Sequence, residues 1–360
     1  MPKLNFRKIF KNKKIIITGH TGFKGSWLTL WLNYLGAKVI GISNEIPTKP
    51  SFFKKLNLKN NCKSLKVNIK NLRQIQKIFS KEKPDFVFHL AAQSLVKKSY
   101  SNPINTFETN TLGTLNVLES LKKLKNRCNV VIITSDKSYK NIEKKNGYDE
   151  NDAIGGHDPY SASKGAAEII IQSYLKSYFS NNESKIKIAV ARAGNVIGGG
   201  DWSSDRLIPD CVKSWSNYKS VVVRNPNSTR PWQHVLEALG GYLILATKLH
   251  IKKFHGEAFN FGPTLQNQRT VMSLIKDIRK FWPGIKWKIK KKENFYETKI
   301  LNLNCSKSRK YLKWKCILKF EENIKMVAKW YKSFYFKKDD MKEFSIAQII
   351  KYQKLMDKRL

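Results

Sequence analysis

Lys14-Ile15-Ile16-Ile17-Thr18-Gly19-His20-Thr21-Gly22-Phe23-Lys24-Gly25 is a β-branched run that breaks into three glycines at three-residue spacing. Four consecutive β-branched residues read as a strand buried on both faces. Apolar residues at helical spacing follow from Gly22 to Leu35, and Gly36 ends them. A strand that turns through glycines into a helix has a specific use. Gly19 permits the tight turn, Gly22 lets backbone approach a pyrophosphate, and Gly25 lets the helix pack closely on the strand. The helix N-terminus supplies free N–H groups and partial positive charge for the phosphates. Gly19, Thr21, Gly22, Phe23 and Gly25 are therefore the expected cofactor-binding turn.

Working outward, short apolar runs alternate with helical stretches, the pattern of βαβ units and a parallel sheet. Strands are expected at Lys38 to Ile42, Ser64 to Ile69, Phe86 to Leu90, Val130 to Thr134 and Ile186 to Arg192. Helices are expected at Leu72 to Ser80, Asn105 to Lys125 and Ser161 to Ser180. Beyond about residue 195 the pattern loosens, with short strands at Val221 to Arg224 and Phe259 to Phe261 and a tail mixing helices with a Lys/Trp-rich stretch. The expected class is α/β: a Rossmann-type doubly wound parallel sheet with a smaller, partly discontinuous C-terminal substrate-binding domain. Residues 1–195, with segments returning at about 224–265, form the dinucleotide half, and 196–223 with 266–350 form the cap.

The 360 residues carry a net charge of +41, with apolar residues at 41%, too many for intrinsic disorder. Such charge raises nucleic-acid binding. The lysines, however, are scattered, the dense clusters Lys11 to Lys14 and Lys288 to Lys292 are short, and no nucleic-acid-binding signature accompanies them. No nucleic-acid partner is expected, and the charge reads as a solvated lysine surface. No apolar run approaches the roughly 18 residues of a membrane span. The basic start, Met1 to Lys14, lacks the ~7–15-residue apolar core of a secretory signal. Five dispersed cysteines without a Cys-x-x-Cys pair support neither a disulfide framework nor a metal site. A cytoplasmic setting follows.

The second strand should reach the adenosine ribose. It ends Gly41-Ile42-Ser43-Asn44-Glu45, with no Asp, so ribose binding falls to Ser43 or Asn44. No Arg stands there for a 2′-phosphate, which favours NAD over NADP. Asn68 and Ile69 would lie near the adenine, and Leu90, Ala91 and Ala92 offer small residues where backbone passes the cofactor.

Tyr-x-x-x-Lys places a phenol and an ammonium one helical turn apart. The ammonium should lower the phenol's pKa and make it a base. Tyr34, Tyr160 and Tyr311 all satisfy the spacing. Tyr160 with Lys164 stands apart, because it opens a long helix after Asp158-Pro159 and Ser135 follows a strand 25 residues earlier. In open α/β sheets ligands bind at that end of the strands. Asp136 and Lys137 adjoin Ser135. Hydride transfer alone needs neither, whereas dehydration needs an acid for the leaving hydroxyl and a base for the neighbouring carbon. The other reading of the pair is an exposed loop in a lysine-rich chain.

These stretches, together with Gly155 to Gly165, Ala191 to Trp202 and Thr229 to Val235, resemble extended short-chain dehydrogenase/reductases that act on nucleotide sugars, and most nearly their 4,6-dehydratases. The resemblance runs in order across roughly residues 10–265. It implies a retained NAD, Tyr160 as base at the sugar C4 hydroxyl, Ser135 bonded to the same oxygen, and Lys164 on the nicotinamide ribose. It also implies that Lys137 takes the C5 proton while Asp136 protonates the departing C6 hydroxyl. Relatives acting on dTDP-glucose carry Asp-Glu at 136 and 137, so Lys137 points to CDP-glucose. Gln93, Asn195, Arg206, Arg230 and His234 are the implied substrate contacts. As isolated residues, the arginines read more often as surface ion-pair partners. Asn68 stands where such enzymes carry Asp, and Ser138 where they carry Cys. A homodimer or homotetramer, paired through the Asn105 to Lys125 and Ser161 to Ser180 helices, is implied by analogy. An epimerase or reductase with the same Ser/Tyr/Lys is the nearest competing reading. A non-catalytic NAD-sensing protein that binds nucleic acid is the reading from another class.

Overall fold

The computed structural model describes residues 5–180, 184–223, 225–264, 269–289 and 301–360. Arg224 and Lys290 to Lys292, named above, lie outside the described residues. Seven strands form one parallel sheet: β1 (Lys14–Thr18), β2 (Lys38–Ser43), β3 (Lys63–Lys66), β4 (Phe86–His89), β5 (Cys128–Ile133), β6 (Ile186–Ala193) and β7 (Ala258–Phe261). Their order is β7-β6-β5-β4-β1-β2-β3. The order reverses beside β1, and a crevice opens at such a switch point.

The isoleucines of β1 show how the sheet is buried. Ile16 faces a core with Val87, Val117, Val130 and Ile171. Ile15 and Ile17 face the other, larger core with Trp27, Trp31 and Leu239. Helices cover both faces. On the first lie α2 (Leu72–Glu82), α3 (Gly113–Lys122) and α4 (Pro159–Tyr178); on the second lie α1 (Phe23–Tyr34) and α6 (Val235–Lys248). Outside the seven-stranded sheet lie α5 (Leu207–Trp215), α7 (Phe320–Lys332) and the paired strands Val221–Val223 and Trp287–Ile289. The last helix, α8 (Met341–Arg359), packs on α1, with Trp31 and Tyr352 edge to face at 5.8 Å.

Three expectations change. The Asn105 to Lys125 helix is Pro103–Phe107, a wide turn at Glu108–Leu112, and then α3. The extra residue turns Asn110 inward, where it accepts from the Gln93 backbone N–H at 2.8 Å and donates to Ser163 Oγ at 2.9 Å. The third strand stops at Lys66, and Ile69 instead packs against Gly113, where a Cβ would lie 2.5 Å from Ile69 Cδ1. The helix α6 was not expected, because Val235 through Thr247 are all buried and leave no polar stripe to give a helical period.

Candidate active site

A cleft of about 1070 Å³ lies at the switch point, larger than the roughly 300–1,000 Å³ usual for one small ligand. Its cofactor wall follows from the glycines. Gly19 holds φ +77°, and a Cβ there would lie 2.8 Å from Ala91 Cα. A Cβ on Gly25 would lie 2.1 Å from the Gly19 carbonyl oxygen. The turn is thus closed to side chains, and among the described residues none caps α1. Its first N–H groups are left for an anion.

The expected cofactor residues Gly19, Thr21, Gly22, Phe23, Gly25, Ser43, Asn68, Ile69, Leu90, Ala91 and Ala92 all line this cleft. Ser43 Oγ is 3.0 Å from His20 Nδ1, while His20 Nε2 is 2.7 Å from Ser64 Oγ. Burial lowers the His20 pKa to about 4, so the ring bridging β2 and β3 is neutral. Glu45 lines the cleft just past β2, where a carboxylate repels a 2′-phosphate.

Opposite, the chain leaves β5 through Thr134 and Ser135 into a tight turn, Asp136–Ser138. Ser135 Oγ caps that turn by accepting from the Lys137 N–H at 3.2 Å, and it donates to Asp136 Oδ1 at 2.9 Å. Asp136 is buried, and burial pushes its carboxyl pKa up against the pull of Lys137, Ser135 and Lys24. Tyr160 and Lys164 come from the first turns of α4, which Asp158 caps by accepting from the Ser161 N–H at 3.0 Å. The Tyr160 hydroxyl faces the Ser135 side chain. Lys164 Nζ donates to the Ile133 carbonyl at 3.4 Å.

One expectation about this pair is corrected. Burial raises the Tyr160 pKa; the Ser135 bond and the Arg206 charge oppose the rise, and Asp136 adds to it. Burial also lowers Lys164 to about 8, against the pull of Glu168. Burial thus sets the direction of both shifts, and the ammonium does not bring the phenol below its usual range.

Lys137, Asn195, Arg206 and Arg230 line the same cleft. Arg206 donates to Asp201 Oδ2 at 3.0 Å and to Ser94 Oγ at 3.2 Å. Gln93 also reaches the wall, but its amide is engaged internally. It donates to Thr106 Oγ1 at 3.0 Å and to the Leu95 carbonyl at 3.1 Å, and it accepts from the Leu95 N–H at 2.7 Å. Gln93 shapes the strand exit. His234 does not line the cleft. It begins α6 fully buried, its Nδ1 accepts from the Leu236 N–H at 3.3 Å, and burial lowers its pKa to about 3. Its ring packs on Trp27, so its part is structural.

Two groups in the cleft region escaped the sequence reading. Lys24 sits inside the quoted glycine run, and its ammonium contacts the Tyr242 hydroxyl at 3.5 Å. Asp201, inside Gly198 to Trp202, is the carboxylate that holds Arg206.

A doubly wound sheet with a capless glycine turn, facing Ser135, Tyr160 and Lys164, defines a dinucleotide-binding protein of the short-chain dehydrogenase/reductase class. The family model described as GDP-mannose 4,6 dehydratase matches residues 16–327. The chain belongs to this family of NAD-dependent sugar-nucleotide dehydratases. It is 41% identical to a CDP-glucose 4,6-dehydratase of Salmonella typhimurium over 96% of this chain and 98% of that one. It is 27% identical to a CDP-paratose 2-epimerase of Salmonella typhi, covering 73% of this chain and 82% of the relative. Among solved structures, a dTDP-glucose 4,6-dehydratase from Bacillus anthracis in complex with NAD superposes with a TM-score of 0.74 at 22% identity, covering 91% of this chain and 99% of that one. Among the described residues, no helix is long and apolar enough to cross a membrane.

Proposed function

We propose that the protein removes water from CDP-D-glucose to give CDP-4-dehydro-6-deoxy-D-glucose. The observation that carries this reading is a buried Asp136 adjoining Lys137 in one turn of the cleft, beside the Tyr160 hydroxyl. NAD fits the turn at Gly19 to Gly25, with Ser43 at the ribose and Asn68 and Ile69 at the adenine. When bound, it supplies a hydride acceptor at C4 and a donor at C6. Tyr160 Oη takes the proton of the C4 hydroxyl, whose oxygen the Ser135 hydroxyl also bonds. The ketone that results acidifies C5–H. Lys137 Nζ takes the C5 proton, and the pair of electrons it leaves forms the C5–C6 double bond as the C6–O bond breaks. Asp136 gives its proton to that oxygen, which departs as water, and the proton held on Lys137 returns to C5 as C6 is reduced. Burial raises the Asp136 carboxyl above the usual carboxylate range, the direction a proton donor needs. Lys164 orients the nicotinamide ribose. Arg206 and Arg230 take the diphosphate, for which a guanidinium fork is suited, and Asn195 completes that wall. Residues 196–223, 269–289 and 301–350 form the substrate side.

Incubation with NAD and CDP-glucose should yield a nucleotide sugar lighter by one water with a 4-keto group, read by mass spectrometry. A sugar of unchanged mass and altered configuration would instead mark an epimerase.

The same reading includes a cytoplasmic homodimer, supported by five free cysteines and an unpartnered apolar surface on two helical segments. Ile104 is 73% exposed, Leu112 49% and Ile169 60%. Ile169→Glu should turn the dimer into a monomer in light scattering. A two-fold interface loses each contact twice, and roughly 1.5–3 kcal/mol per isoleucine weakens association by about 10²-fold or more. An unchanged mass overturns the assignment.

A further inference from the structure

Both flanks of the turn that carries Asp136 and Lys137 are tied to one buried ion pair. Glu168 on α4 and Arg192 on β6 are both buried, and neither lines the cleft. Arg192 donates from Nε to Glu168 Oε1 and from Nη2 to Oε2, each at 2.9 Å. Thr134, the residue before Ser135, donates from Oγ1 to the same Oε1 at 2.5 Å. Tyr139, the residue after the turn, accepts from Arg192 Nη1 at 2.8 Å and donates to Asn260 Oδ1 of β7, also at 2.8 Å. The Tyr139 ring centroid lies 4.8 Å from the guanidinium carbon. Glu168 stands one helical turn beyond Lys164 and two beyond Tyr160, on the same side of α4. The pair thus joins the helix that bears the phenol to both flanks of the turn that bears the acid and the amine.

Stability does not call for such a pair. Burying two charges costs solvation that apolar side chains of similar size would not lose, and replacing a buried ion pair by such side chains is often neutral or stabilising. What a bidentate pair gives is fixed geometry. Geometry matters here because three side chains must reach adjacent carbons of one sugar, and a misplacement of about 1 Å costs on the order of 10²-fold in rate. We propose that Glu168 and Arg192 are positioning residues, whose ion pair acts through Thr134 and Tyr139 to hold Asp136 and Lys137 in register with Tyr160. The proposal rests on the dehydratase roles assigned to those three residues above.

Removing either charge would strand the other in the core, so the test cuts the ties and leaves the pair. Thr134→Val deletes the hydroxyl and keeps the branch at Cβ, whereas Thr134→Ser keeps the hydroxyl. Thr134→Val should lower kcat for CDP-glucose by about ten-fold or more with KM unchanged, and Thr134→Ser should restore most of it. Tyr139→Phe, which frees the other flank, should act in the same direction as Thr134→Val. Backbone amide exchange, read by mass spectrometry on peptides that include 134–139 of the full chain, should be faster in Thr134→Val and Tyr139→Phe than in the native protein and Thr134→Ser. Exchange at the native rate, or lowered thermal stability with native kcat, overturns the proposal. So does a Thr134→Ser enzyme as slow as Thr134→Val. A native enzyme that releases no keto sugar removes the dehydratase reading instead, and the exchange rates then decide the positioning role alone.

Discussion

Tyr160→Phe lowers kcat for CDP-glucose by on the order of 10²–10⁴-fold while the protein stays folded and still binds dinucleotide. The phenol oxygen is the group assigned to the C4 hydroxyl proton; of the two side chains that follow Ser135, Lys137 is assigned to C5 and burial favours the protonated form of Asp136. The cost to the fold is small. The Ser135 side chain keeps its bond to Asp136 when the phenol hydroxyl is removed, so about 1 kcal/mol or less is at stake in thermal unfolding. The sign of the pH dependence follows from burial. A phenol held above its usual range is protonated at neutral pH, so turnover should rise with pH on the acid side. Removing the Arg206 charge should push that limb further up. A Tyr160→Phe enzyme with native kcat would show that the C4 proton leaves by another route.

Much of this is legible in the chain itself. Four β-branched residues from Ile15 to Thr18 have one reading, because each face of such a strand needs cover. Glycines at 19, 22 and 25 exclude side chains where backbone packs on backbone. Local signals of this kind place the turn, the Ser135 strand end and the Tyr160 helix. What stayed hidden is collective. An all-apolar helix such as Val235–Lys248 has no period to read. The inward turn of Asn110 depends on Gln93 and Ser163, which are remote in sequence. His234 reads as a polar site residue, yet its ring is packed against Trp27 behind the cleft. Lys24 looked like one of many lysines until Tyr242, 218 positions away, appeared beneath it.

The pair in the turn after Ser135 makes the sharpest distinction, because its two members act on different atoms. With Asp136→Asn, the C6 hydroxyl loses its proton donor and product formation falls by on the order of 10²–10⁴-fold. Tyr160 and Lys137 remain, so C4 is still oxidised and the C5 proton still comes and goes. In heavy water, CDP-glucose recovered after return of the hydride to C4 should therefore carry deuterium at C5. With Lys137→Met, the C5 proton has no acceptor, and both product and deuterium uptake should be lost to a similar degree. Asn at 136 still accepts from Ser135, and Met at 137 preserves the stem that lines the cleft, so neither change deletes packing from the core. If the Asp136→Asn enzyme returned substrate without deuterium while the Lys137→Met enzyme still exchanged it, the acid and base assignments would be reversed. If both variants formed product at the native rate, the turn would be an ordinary surface loop and the dehydratase reading would fall with it.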